Sequence, residues 1–181
     1  LYGHDKYRFR FTSLYGEYNQ DKYRLRLGRQ AVTGGVLLDG ASADYFFGPA
    51  HARDQKSLGF FAGLAPNPIS KHPSKDFITF GPKVQWIPSF SESGDTKLFV
   101  ESSLVTELYK MKMDRFYLYS RVHFTPIRQF STILYSTLEL PWSGSDGSIK
   151  SSLLSFQNFW RPTSQWFFSI GFSQFRIERH L

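Results

Sequence analysis

Residues 115–125 read RFYLYSRVHFT, and they alternate in kind at every step. Phe116, Leu118, Ser120, Val122 and Phe124 fall on one side of an extended chain; Arg115, Tyr117, Tyr119, Arg121 and His123 fall on the other. A period of two is the signature of a β-strand with two unlike faces. The same pattern returns outward from this stretch. Residues 129–140 set Phe130, Leu134 and Leu138 against Ser131, Tyr135 and Glu139, and residues 97–109 set Leu98, Val100, Leu104 and Leu108 against Lys97, Glu101, Ser103 and Glu107. Helical periodicity is outscored in nearly every long window. The chain therefore reads as all-β.

Turn signals separate these runs: Asn19-Gln20-Asp21, Gly34-Gly35, residues 91–95 (SESGD), 143–147 (SGSDG) and 161–164 (RPTS). They divide the chain into about ten strands, near residues 6–18, 22–33, 38–48, 57–65, 76–87, 96–109, 114–125, 128–141, 148–160 and 165–178. Because the strands follow one another with short turns, the expected topology is an antiparallel up-and-down meander. Residues 1–181 are expected to form one domain. The strand containing Pro82 is the least regular, since proline lacks a ladder donor. Residues 49–75 are richest in Pro, Gly and Lys, and the flanks of this stretch are expected to form the longest loops.

Strand length separates soluble from membrane β-proteins. Strands of soluble domains run ~5–6 residues, whereas a tilted strand crossing a bilayer needs ~9–11. Most of the expected strands from residue 96 onward run for about 11 to 14 residues, in the range of alternating segments that build transmembrane barrels. Aromatic residues make up 18% of the chain although its mean hydropathy is negative. Tyr15, Tyr18, Tyr23, Tyr109, Trp142, Trp160 and Trp166 fall near expected strand ends, where interfacial girdles sit. The expected fold is thus an antiparallel up-and-down transmembrane β-barrel, either of ten strands or part of a larger one. It would lie in a bacterial outer membrane, with lipid and other envelope proteins as neighbours.

The N-terminal hairpin carries the charge. With 22 Lys and Arg against 15 Asp and Glu, the net charge is +7, which favours anionic partners. Arg8, Arg10, Arg24 and Arg26 have the parity opposite to Phe9, Phe11, Leu25 and Leu27. A three-residue turn at 19–21 would pair Gly16 with Arg24 and Leu14 with Arg26, putting all four arginines on one face. Facing mid-bilayer lipid would cost each arginine ~2–4 kcal/mol, so they are expected in the lumen with Arg115 and Arg121. There they would pass or bind anionic solutes. Glu101, Glu107 and Glu139 share that lumen with Lys97 and Lys150, and in a narrow barrel such charges would pair and fill it.

The run LRLGRQ (residues 25–30), followed by Gly34-Gly35 and LLDGASADYFFG (residues 37–48), resembles a segment of Gram-negative outer-membrane channels, porin-like barrels of the alginate-export type. The residues that carry the resemblance are Gly28, Arg29, Gln30, Asp39 and Gly40. It implies an electropositive lumen for anionic solutes or polysaccharide. Barrels of that kind have more strands and commonly end on an aromatic residue, whereas this chain ends FRIERHL. A smaller relative or a fragment is the expectation, and a chain beginning at Leu1 rather than Met reads as a processed form or a segment.

No enzyme, cofactor or metal centre is expected. Cysteine is absent, and His4, His51, His72, His123 and His180 show no metal-ligand spacing. A Ser/His pair would need Ser103, Ser131 or Ser152 beside His123, and an omptin-like rim would need Asp39, Asp44 and His51 together; no spacing supports either. No phosphate-loop motif is present. Nucleic-acid binding would use an arginine and aromatic surface, but it leaves the continuous apolar faces of residues 96–178 unexplained and is not expected. Two other roles fit the same sequence: a structural barrel anchoring an envelope assembly, and a soluble β-barrel holding an anionic ligand.

Overall fold

The computed structural model describes residues 13–33, 36–48, 54–66, 73–88, 96–142 and 147–175. They form ten strands: β1 (Leu14–Gln20), β2 (Tyr23–Ala31), β3 (Leu37–Phe47), β4 (Gln55–Pro66), β5 (Pro73–Ile87), β6 (Lys97–Tyr109), β7 (Lys112–Ile127), β8 (Phe130–Glu139), β9 (Lys150–Trp160) and β10 (Phe168–Phe175). All ten belong to one antiparallel sheet whose spatial order is the chain order. Each expected strand is present over its described residues, residues 6–12 of the first and 176–178 of the last lying outside them; this includes β5, which holds Pro82 in the middle of the sheet. Its ladder to β6 runs through Phe80↔Thr106 and Lys83↔Ser103, with no pairing at Gly81 or Pro82. The missing proline donor is absorbed by that gap.

The expected closed barrel is not formed. Among the described residues β1 pairs only with β2 and β10 only with β9, and both outer strands are exposed along their whole length. The sheet is nevertheless curled. Leu38 on β3, Phe61 on β4, Val105 on β6 and Tyr117 and Tyr119 on β7 bury into one cluster, with Val32 and Tyr135 packed against it. In a flat sheet β3 and β7 would stand roughly 19 Å apart. Thr33, just past β2, also reaches Glu101 on β6 with a 2.7 Å hydrogen bond, which requires the sheet to bend around its inner face.

That bending sorts the residues by kind. The buried set on the concave face is mainly polar and includes Gln30, Ser42, Asp44, Ser57, Thr79, Lys83, Glu101, Ser103 and Thr137. The convex face shows Leu25, Leu27, Leu58, Phe60, Val84, Trp86, Phe124, Phe156, Ile170 and Phe172 to the surroundings, with Leu27 70% and Ile170 73% exposed. A water-soluble sheet protein buries its apolar face and exposes the polar one. Here the order is reversed. Polar side chains on the convex side find each other: Ser102 Oγ and Ser120 Oγ lie 3.0 Å apart, and Thr132 Oγ1 donates to Asn158 Oδ1 at 2.7 Å.

The first hairpin departs from its expected register. Its turn is the pair Asp21-Lys22, with Gln20 opposite Tyr23, so Glu17 stands opposite Arg26, Asn19 opposite Arg24 and Gly16 opposite Leu27. The expected three-residue turn would have left Arg24 facing a glycine. The observed register gives Arg26 a carboxylate instead, a favourable cross-strand pairing. It also reverses the face of β1: Glu17 and Asn19 now point inward with Arg24 and Arg26, and Leu14 and Gly16 do not. The parity argument that joined Arg8 and Arg10 to Arg24 and Arg26 therefore fails at the paired residues, and Arg8 and Arg10 themselves lie outside the described residues.

Between β6 and β7 the turn is Lys110-Met111, with φ of 49° and 64°. Both residues take the left-handed conformation that two-residue hairpins require, usually supplied by Asn-Gly. The Lys110 amide donates to the Asp76 carbonyl of β5 at 2.8 Å, which ties the strained turn to the neighbouring strand.

Candidate functional site: the charged concave face

Because side chains of register partners lie side by side, the concave face can be followed in rows across the sheet. One row runs Asn19, Arg24, Asp44, Gly59, Lys83, Ser103, Tyr119, Thr137. Arg24 donates to Asp44 Oδ2 through Nη2 at 2.9 Å and Nε at 3.1 Å, and from the other side Lys83 Nζ lies 3.0 Å from Oδ1 and 3.2 Å from Oδ2. Gly59 sits between Asp44 and Lys83, and a Cβ there would come within 2.2 Å of Asp44 Oδ1. The missing side chain is what lets two residues from non-adjacent strands meet. Arg24 also stacks its guanidinium 5.2 Å from the Phe46 ring centre.

A second row, nearer the other end of the strands, runs Tyr15, Gly28, Gly40, Gly63, Thr79, Glu107, Arg115. Arg115 donates through Nε to Glu139 Oε1 at 3.1 Å and lies 3.7 Å from Glu107 Oε2. Tyr117 donates its hydroxyl to Glu107 at 2.8 Å. The three consecutive glycines leave a shallow lane in the wall. Gln30, which is 1% exposed, lies along it, donating to the carbonyls of Arg26 and Gly40 and accepting from Ser42 Oγ.

The residues that carried the channel resemblance thus gather in one place, but on two faces. Gly28, Gln30 and Gly40 are inward; Arg29 and Asp39 form a two-pronged pair on the convex side, with both contacts at 2.8 Å. Asp39 and Asp44 consequently point in opposite directions, and His51 lies outside the described residues, so this structure does not assemble an acidic rim from them. His123 faces inward beside Arg121 and contacts Thr125 Oγ1 at 3.5 Å. Ser103 is opposite Tyr119 and Ser152 bonds to the Thr137 carbonyl, neither beside His123. His4, His51, His72 and His180 lie outside the described residues. Among the described residues no three His, Asp or Glu gather at metal-binding distance.

The expected luminal arginines divide by partner. Arg24 pairs with Asp44, Arg115 with Glu139 and Glu107, and Arg26 with Glu17 while lying 5.4 Å from the Tyr15 ring. Arg121 differs. Its guanidinium is held between the rings of Phe99 and Tyr135, 5.5 Å from each centre, and among the described residues its buried Nε meets no acceptor. Glu101 stands opposite it in register, yet accepts a hydrogen bond from Thr33 Oγ1 at 2.7 Å. Close by in the neighbouring row, the buried Ser103 hydroxyl also meets no partner among the described residues.

Sequence reasoning did not single out Lys83 or Glu17 as partners, nor the inward position of Thr33. Parity alone would have put Lys83 with Ser103 and Glu101, but the triad with Asp44 depends on Gly59 and on the register of three strands. Comparison with protein-family models, curated proteins and solved structures finds no match, so the likeness to outer-membrane channels rests on the five motif residues and the alternating pattern.

Proposed function

We propose that this chain is the wall of an outer-membrane β-barrel whose concave face borders a passage for anionic solutes. The observation that carries this reading is the inverted sheet, with charged and hydroxyl side chains buried on the concave side and Leu, Phe, Ile and Trp exposed on the convex side. Along β7 the outward residues from Phe116 to Phe124 span about 27 Å of strand. At the usual barrel tilt this covers about 19–22 Å of height, close to the ~25 Å apolar band of outer-membrane barrels. Aromatic clusters sit at the strand ends where such a band would meet headgroups: Tyr23, Tyr45 and Phe47 pack together, as do Trp160, Trp166 and Phe168.

A bilayer tolerates no open sheet edge, because each unpaired backbone group in hydrocarbon costs several kcal/mol. In this reading the free edges of β1 and β10 are therefore paired with further strands, making the complete barrel larger than ten strands. Arg121 is the residue that interacts with a passing anion, since the other described arginines of the lumen are already neutralised. The reading involves no catalysis.

Two measurements test it. The protein should fractionate with outer membranes and need detergent to stay monodisperse; a detergent-free monodisperse monomer would sink the proposal. In planar bilayers, Arg121→Glu should shift ion selectivity toward cations, whereas Arg24→Glu should act mainly by disrupting the Asp44 triad. Unchanged selectivity on reversal of Arg121 removes it from the passage. A second reading, a barrel that anchors an envelope assembly without conducting, is favoured by the pairing of Arg24, Arg26 and Arg115 with carboxylates, which fills part of the interior. Absence of any conductance from correctly inserted protein would support it.

A further inference from the structure

The fully buried apolar residues of the concave face gather at one place. Leu38, Phe61 and Val105 are each 0% exposed there, on a face whose other buried residues are mainly Ser, Thr, Tyr and charged side chains. What covers them includes the two residues that follow β2. Val32 and Thr33 turn inward over the concave face. Val32 packs against the cluster of Leu38, Phe61, Val105, Tyr117 and Tyr119. Thr33 is 3% exposed and donates its hydroxyl to Glu101 of β6, a residue 68 positions away in the chain. The two residues are braced by bonds from the Val32 amide to the Val36 carbonyl at 2.9 Å and from the Val36 amide to the Thr33 carbonyl at 3.3 Å.

We infer that Val32 and Thr33 form the constriction of the passage, seated in an apolar socket and hydrogen-bonded to Glu101, so that the narrowest point is bordered by the guanidinium of Arg121, whose Nε meets no acceptor among the described residues. This rests on the proposed passage function for its consequence, but not for its geometry. The socket explains why Leu38, Phe61 and Val105 are fully buried together on a face whose buried residues are mainly polar. The Thr33 bond explains why Glu101 does not pair with the arginine opposite. With its carboxylate engaged elsewhere, Arg121 stays available at the point where a solute would be forced closest to the wall.

The chain has no cysteine, so a single introduced thiol reports unambiguously. In Thr33→Cys, the thiol should react with a hydrophilic methanethiosulfonate at least tenfold more slowly than the thiol of Met111→Cys, an exposed turn position. Adding Val32→Asp, which places a carboxylate in the apolar socket, should remove that protection. In planar bilayers, Val32→Asp should raise single-channel conductance severalfold, and the milder Thr33→Val should raise it in the same direction by less. Rapid labelling of Thr33→Cys in the otherwise native chain overturns the inward seat. Protection together with conductance unchanged by Val32→Asp and Thr33→Val overturns the constriction while leaving passage intact. Protection without conductance in any variant overturns passage, and with it the constriction.

Discussion

Replacing Asp44 with alanine removes the carboxylate that holds Lys83 and Arg24 together on the concave face. The Asp44 side chain is 1% exposed and that of Lys83 5%, so the ammonium left behind has neither a partner nor water. Arg24 is better placed, since its side chain is 22% exposed and rests against Phe46. Breaking a buried ion pair by deleting one partner costs ~3–5 kcal/mol, most of it from the stranded charge. With one cation fully stranded and the other partly hydrated, the expected loss is about 3–4 kcal/mol. Replacing the pair together, as Asp44→Leu with Lys83→Met, removes the stranded ammonium and should recover most of that loss, because apolar side chains of similar volume commonly substitute for buried pairs. Equilibrium unfolding in urea, followed by tryptophan fluorescence in detergent micelles, gives the Asp44→Ala loss and, from Asp44→Leu, Lys83→Met and the pair together, the double-mutant cycle. A loss below about 1 kcal/mol for Asp44→Ala, or a double variant as unstable as the two single losses added, would refute the triad as a buried, interdependent unit.

Gly59→Ala should reproduce much of the Asp44→Ala loss in the same assay, because the new Cβ would lie 2.2 Å from Asp44 Oδ1 and 2.8 Å from Lys83 Cε, whereas Gly16→Ala, with nothing within 4 Å, should not. Met111→Gly should stabilise the protein by about 1 kcal/mol, since a left-handed conformation is costly for any residue with a Cβ; a loss of stability would show that the turn is held by something other than backbone preference. On the convex face, Leu134→Arg should reduce insertion into lipid vesicles by an amount equivalent to ~2–4 kcal/mol, and wild-type insertion would contradict a lipid-facing role. Gly40→Ala should weaken the β3–β4 pairing, because its Cβ would lie 2.2 Å from the Ala62 carbonyl oxygen; hydrogen exchange of β3 and β4 amides reads this directly.

The ten strands were legible because a strand writes its two faces into alternate residues, and 115–125 does so without interruption. Strand order was legible for a related reason: short turns leave a strand no neighbour but the preceding one. Even β5, with its proline, kept its place. The inward face of Arg24, Arg26, Arg115 and Arg121 also followed from parity, and the structure places all four there. Parity failed at the first hairpin, because it depends on the turn: Asp21-Lys22 in place of residues 19–21 changes which side of β1 faces in. Pairing among charges was not legible either. Asp44 meets Lys83 only because Gly59 leaves room between them, and Glu101 is engaged by Thr33, which reaches it from beyond the end of β2. The sequence by itself determined the alternation and the order of the described strands, since these are properties of local periodicity and chain connectivity. Which concave-face arginine meets no carboxylate among the described residues, where Thr33 reaches Glu101, and that the described strands stop short of a closed cylinder were decided by register and curvature, which exist only once the strands have come together.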